Sequence, residues 1–248
     1  ASGKLQTVRT YKFGKQNGPF TTYFESGKKA SEQMYKDNFR DGPAKVFWES
    51  GGLKSQTPYS KNKVHGTLER WYQDGAKQEE TEYVNNYREG ASNLWYADGS
   101  KQQEAGYTQN QLHGAFKQWS SEGEPAAVGA YTKGKKIGKW QKWYSDGVKL
   151  NVASYTNGYL EGDFEAWYAD GTKAMQHSYK GGKFHGALKA WFGNAQLARQ
   201  EAYDYGKPHG KQSKWTYEGA WVQTHCVWLG TTKWKADDEA AGESKACP

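Results

Sequence analysis

The sequence predicts an all-β protein, an elongated single-ribbon array of about nine 24-residue β-hairpin repeats. Three observations predict it. A glycine recurs every 24 residues, at Gly18, Gly42, Gly66, Gly90, Gly114, Gly138, Gly162, Gly186 and Gly210, with no insertion or deletion between them. An aromatic ring follows each glycine five residues later, at Tyr23, Phe47, Trp71, Trp95, Trp119, Trp143, Trp167, Trp191 and Trp215. Only 35% of the 248 residues are hydrophobic, and aromatics at 16% supply nearly half of those. Aliphatic side chains are thus too scarce for a two-layer core, whereas a stack in which each unit covers its neighbour can bury rings instead.

The elements follow in chain order. Residues 1–10 hold no full unit, but Leu5 to Tyr11 matches the second half of one, so an N-terminal half-repeat cap is expected there. The array proper is expected over residues 11–230, with a C-terminal cap and tail over 231–248. Each period opens on a turn whose fourth position is Gly14, Asn38, Asn62, Asn86, Asn110, Gly134, Gly158, Gly182 or Gly206. Only glycine and asparagine occur there, the residues that tolerate positive φ, which marks a tight left-handed turn. A short segment ending in the paired aromatics comes next. A second turn then carries Asp74-Gly75, Asp98-Gly99, Asp146-Gly147 or Asp170-Gly171, and Asp-Gly between two β-prone runs is a strong hairpin signal. The return segment runs to the next tyrosine, from Tyr35 to Tyr203. With strands ~4.8 Å apart, each period advances the stack ~9.6 Å.

Departures from the pattern locate expected irregularities. Ser120, Glu122-Gly123 and Pro125 break the fifth unit, so a kink is expected near 120–127. Asn194-Ala195 replaces Asp-Gly in the eighth. After Gly210 the pattern decays, and Trp221, Trp228 and Trp234 are expected to fold over the open end.

The formal net charge is +7. Lysines recur beside the turns and acids precede the second turn glycine, an interleaving that reads as a solvated face with protected edges. That ranks nucleic acid behind protein, lipid and carbohydrate as a partner. Cys226 and Cys247 lack metal-ligand spacing; a clip between them and two unrelated free thiols both fit the sequence. A clip suits an oxidising compartment, which favours a periplasmic or secreted location over a cytoplasmic one. No apolar run approaches the ~18 residues that a membrane helix needs.

The string Y-x-x-G-K-x-H-G-x-x-x-x-W-Y-x-D-G-x-K resembles the MORN repeat, in particular its bacterial variant branch, over about residues 11–230. Further glycines of the parent motif are missing here, as Thr67-Leu68 follow Gly66 and Ala187-Leu188 follow Gly186. The resemblance implies a β-hairpin scaffold that binds proteins or phospholipids. It also implies an antitoxin-like role in some members, and no catalytic residues.

Catalytic constellations are weak. Gly129 to Lys136 approaches a phosphate-binding loop, but Lys136 stands where that motif needs Ser or Thr, and Gly134 is already the repeat's turn. His65, His113, His185 and His209 share one repeat position, too far apart along a stack for a common zinc. His225-Cys226 face opposite sides of a strand. A non-enzymatic protein with no cofactor and no metal is the reading. The aromatic rows carry the functional weight. Successive residues of a strand point to opposite faces, so Trp71, Trp95, Trp119, Trp143, Trp167, Trp191 and Trp215 read as a structural ladder. Tyr72, Tyr96, Tyr144, Tyr168 and Phe192 then read as a second row that binds a protein partner. Self-association along a ribbon edge is a further expectation. The alternative is a module that binds carbohydrate or phospholipid headgroups through rings and lysines.

Overall fold

The computed structural model describes residues 6–228, 231–236, 239 and 246–247. Residues 1–5, 237–238, 240–245 and 248, on which parts of the two expected caps fall, lie outside the described residues. The β-strands run in chain order from Thr7–Lys12 to Thr231–Lys235. The chain forms two compact units, residues 1–123 and 124–248. Their boundary falls in the stretch that Ser120 and Pro125 set apart from the repeat. Within each unit, strands that follow one another in sequence pair antiparallel.

The first turn of each period is a two-residue loop in which both residues have positive φ. At Lys61 and Asn62 the values are 47° and 67°, the geometry of a type I′ hairpin. The sequence marks only the second of these positions; the first holds residues as unsuited to it as Phe13 (φ 50°) and Tyr205 (φ 45°). The second turn is a three-residue loop. Gly75 (φ 94°) donates to the Tyr72 carbonyl at 3.1 Å, and Tyr72 N–H donates to the Ala76 carbonyl at 2.9 Å. Asp74 Oδ1 accepts the Ala76 N–H at 2.9 Å. The aspartate thus closes the loop with its side chain while the glycine supplies the left-handed residue.

The recurrent glycine at the end of Y-x-x-[GN]-x-x-x-G has its own cause. It sits where the strand register slips, as between Arg9 and Tyr11 opposite the segment around Gly18. It is therefore a bulge residue in the left-handed region. At Gly66 φ is +111°, and a Cβ there would approach Pro58 Cγ to 3.2 Å.

Successive periods are tied at both ends of the strands. At the type I′ end, the turn asparagine grips the preceding period twice: Asn86 N–H donates to the Val64 carbonyl at 2.9 Å, and its Oδ1 accepts the Val64 N–H at 2.7 Å. Asn38, Asn62 and Asn110 repeat the side-chain bond. Gly158, Gly182 and Gly206 keep only the main-chain one.

Burial concentrates in one cross-strand row. In the second unit it runs Trp140, Ala153, Phe164, His177, Leu188, Glu201 through directly opposed residues, and Trp140, Ala153 and Leu188 are at most 2% exposed. Leu68, Thr81, Ser92 and Ala105 hold the equivalent places in the first unit and are also buried. The C-terminal tryptophans behave otherwise than expected. Trp221 and Trp228 bound a further strand, and Trp234 lies in the next one. They extend the sheet instead of folding over its end, because Thr224, Cys226 and Val227 keep a buried pattern there. Cys226 and Cys247 form a disulfide.

Candidate functional site

The tryptophan row is half-buried, on the face opposite the buried row just described. Its rings stand among charges. Lys101 Nζ lies 4.7 Å from the Trp95 ring and Lys149 Nζ 5.3 Å from Trp167. Lys77 bonds Glu69 at 3.0 Å and also reaches Glu80 at 2.5 Å, and these partners hold its pKa above the ordinary lysine range. Lys173 bonds Glu165 at 2.8 Å. This face is a lattice of rings, ammonium groups and carboxylates that satisfies itself.

Tyr72, Tyr96, Tyr144 and Tyr168 do a second structural job. Each hydroxyl donates to the main-chain carbonyl of the tryptophan one period on: Tyr72 to Trp95 at 2.9 Å, Tyr96 to Trp119 at 2.9 Å, Tyr144 to Trp167 at 3.0 Å and Tyr168 to Trp191 at 2.8 Å. The hydroxyls are used, but the rings stay half-buried, and Tyr168 is 38% exposed. Phe192 has no hydroxyl and packs on Tyr217 at 5.5 Å.

By strand alternation these rings share the face of the buried row. Between the two runs another cross-strand row: Lys142, Asn151, Ala166, Met175, Ala190, Arg199, Lys214. Small and flexible side chains form its middle and cations stand at its ends. Glu201 is the only carboxylate in these rows of the second unit; it is 6% exposed, accepts from Tyr203 at 2.8 Å and lies 3.7 Å from Arg199. Burial and that hydrogen bond push the Tyr203 hydroxyl up to about 12. Burial, then repulsion from Lys142, holds Lys136 below the ordinary lysine range.

His177, a residue the sequence does not single out, is at the centre of an aromatic cluster. It stacks on Phe164 at 4.6 Å and meets Tyr179 and Phe184 edge-on at 4.5 and 4.8 Å. Its Nδ1 is buried with no hydrogen-bond partner. Burial, and next the Arg199 charge, lowers it to about 4. Of the repeat-position histidines, His185 packs on Tyr205 at 5.0 Å and His209 on Trp228 at 4.4 Å. No group of three His, Cys, Asp or Glu side chains among the described residues is placed to hold a metal ion.

Other strongly exposed rings lie along the type I′ turn edge. Phe13 is 93% exposed, Tyr159 64% and Tyr87 53%. The sequence carries a signal for them: Phe39, Tyr87 and Tyr159 interrupt a position otherwise held mainly by lysine.

The model of the MORN repeat variant matches three successive copies, residues 16–37, 40–61 and 64–85. No curated protein matches the chain. Among solved structures, "Crystal Structure of TcdB2-TccC3" aligns at 9% identity and a TM-score of 0.16, covering 89% of this chain and 17% of that one. "Crystal Structure of TcdB2-TccC3-Cdc42" aligns at 10% identity and a TM-score of 0.16, covering 85% and 16%. The chain therefore spans about a sixth of the length of either.

Proposed function

We propose that this protein, a carrier of MORN-variant repeats, is a binding scaffold that engages a protein partner through the faces bearing Tyr72 and Tyr96 in the first unit and Tyr144, Tyr168 and Phe192 in the second. MORN repeats are in general binding and scaffold modules. One observation supports the reading above others. The row through Ala166, Met175 and Ala190, flanked by half-buried rings and ended by Lys142, Arg199 and Lys214, is apolar in its middle and cationic at its ends. A stripe of that kind fits an extended peptide segment better than bulk water.

The test separates the ring from the hydroxyl. Replacing Tyr96, Tyr144 and Tyr168 by Phe removes three inter-repeat hydrogen bonds and keeps the rings; replacing them by Ala removes both. Affinity capture from cells of the source organism, quantified by mass spectrometry, should retain the partner with the Phe triple and lose it with the Ala triple. Equal capture by the folded Ala triple would refute the aromatic face.

A second reading rests on the strand Thr7–Lys12. It is exposed along its whole length and, among the described residues, pairs only with Lys15–Tyr23. Such an edge accepts an added strand from a partner or from a second copy. A Val8→Pro substitution should abolish concentration-dependent association seen by analytical ultracentrifugation if the edge is used.

A further inference from the structure

Within the first unit the tyrosine that donates to the next period is replaced at Phe24, Trp48 and Ser120, and a hollow lies beside the second of these. Trp48 occupies the position from which Tyr72 and Tyr96 donate to the next tryptophan carbonyl. Its indole reaches no acceptor: Trp48 Nε1 is buried and unpartnered. The chain thus forgoes an inter-repeat hydrogen bond and leaves a buried donor unsatisfied. Beside the indole is an open cavity of about 600 Å³, lined by Val46, Trp48, Lys54, Arg70, Tyr72 and Gln78, among others. Its size is that of a small-molecule site. A local rule broken where a cavity opens points to use of the cavity.

We propose that this hollow binds a carboxylated pyranose, a uronic-acid unit of an acidic polysaccharide. Two rings from successive periods, Trp48 and Tyr72, stand along it, and the Tyr72 hydroxyl is fixed on Trp95 at 2.9 Å. The electron-rich face of an aromatic ring complements the weakly positive C–H face of a sugar ring. Gln73, Gln78 and Ser55 each supply both donors and acceptors, which matches hydroxyl groups that are also both. Charge decides the class of sugar. Arg70 is neutralised by Glu79 at 2.8 Å. Among the described residues Lys54 has no carboxylate within ion-pair reach, and it rests its ammonium 4.3 Å from the Trp48 ring. Among the described residues that line the hollow, one cation is thus left without a counter-ion, and a single carboxylate balances it.

The full chain is titrated calorimetrically with a glucuronate-containing tetrasaccharide, a neutral glucose tetrasaccharide and a glutamate-rich tetrapeptide. The acidic sugar should bind saturably and about fivefold tighter than the neutral one, the scale of one solvent-exposed ion pair. Lys54→Gln, at an exposed side chain, should erase that preference while keeping neutral-sugar binding. Trp48→Ala should abolish binding of both. Trp48→Tyr should raise the thermal midpoint by restoring the missing hydroxyl bond. The proposal is overturned by any of four results: no saturable sugar binding, equal affinity for acidic and neutral sugar, a preference that survives Lys54→Gln, or a tetrapeptide that binds as tightly as the acidic sugar. Because Lys54→Gln leaves the packing intact, an unfolded Trp48→Ala would not spare it.

Discussion

Lowering the pH should destabilise the second unit through His177. The side chain is 3% exposed, and its folded pKa is lowered from 6.5 to about 4 by burial and, after that, by Arg199. The unfolded chain therefore takes up a proton in a pH window where the folded one does not. Stability is intact above the unfolded value and falls as the pH drops through it, until the folded value is reached. The full difference corresponds to about 3 kcal/mol, of which about 2 kcal/mol is lost by about pH 5. The groups packed on the imidazole are Phe164, Tyr179 and Phe184, with Leu188 directly opposite. None of these offers a carboxylate to hold an imidazolium. Urea denaturation followed by tryptophan fluorescence at about pH 7.5 and about pH 5 measures the loss. His177→Phe is the control, since it keeps a stacked ring and removes the unpartnered nitrogen. It should match or exceed the native stability at the higher pH and lose most of the pH dependence. His225, lowered by burial and by Lys214 and Lys235, leaves a residual slope of the same sign. An unchanged pH dependence in His177→Phe would refute the reasoning.

Three further perturbations test the ties between and within periods. Tyr96→Phe removes the bond to the Trp119 carbonyl and should lower stability by about 1 kcal/mol in urea denaturation, with the circular dichroism spectrum unchanged. Ala195 sits at φ 66° where other periods have glycine, so Ala195→Gly should stabilise by about 1 kcal/mol, read as a raised thermal midpoint. The disulfide Cys226–Cys247 spans a sequence separation of 21 residues. Its reduction, or Cys247→Ser, should destabilise by roughly 3 kcal/mol on chain-entropy grounds, checked by melting with and without reductant.

What the sequence reveals is what the backbone demands at fixed spacing. Glycine and asparagine at the turns, the bulge glycine and the Asp-Gly loops cannot be replaced freely, so they recur and locate every hairpin. The tyrosine row recurs for a similar reason, since a phenol at that place reaches the next tryptophan carbonyl. Its second use, as a tether, was not legible, because a hydroxyl bound to a main chain leaves no mark on the partner's identity. The tether also limits what exposure can be inferred from alternation alone: Tyr72 and Tyr144 remain half-buried. The buried row was the least legible element. Its positions read Phe20, Ala44, Leu68, Ser92, Phe116, Trp140, Phe164, Leu188 and Gln212, with no shared chemistry for a periodic reading to find.

That row varies in volume as well as in type, and each member faces a neighbour across the strand with which it shares one space. Trp140 shows the constraint at its sharpest. Ala153 lies directly opposite on one side and Gly129 is on the other, where an added Cβ would fall onto the indole. The indole N–H donates to the Ala130 carbonyl at 3.2 Å and Tyr131 meets the ring edge-on at 4.9 Å, so the ring has no room to retreat. Gly129→Ala should therefore cost about 1–3 kcal/mol by overpacking. Trp140→Phe alone should also destabilise, since it leaves a void and an unmatched carbonyl. Combined, the two should do less damage than their sum, because the smaller ring makes space for the methyl group. A double-mutant cycle in urea reads this directly as a favourable coupling of about 1 kcal/mol. Additive losses would mean that Gly129 and Trp140 are chosen independently, and that the close approach of the indole to Gly129 has no energetic basis.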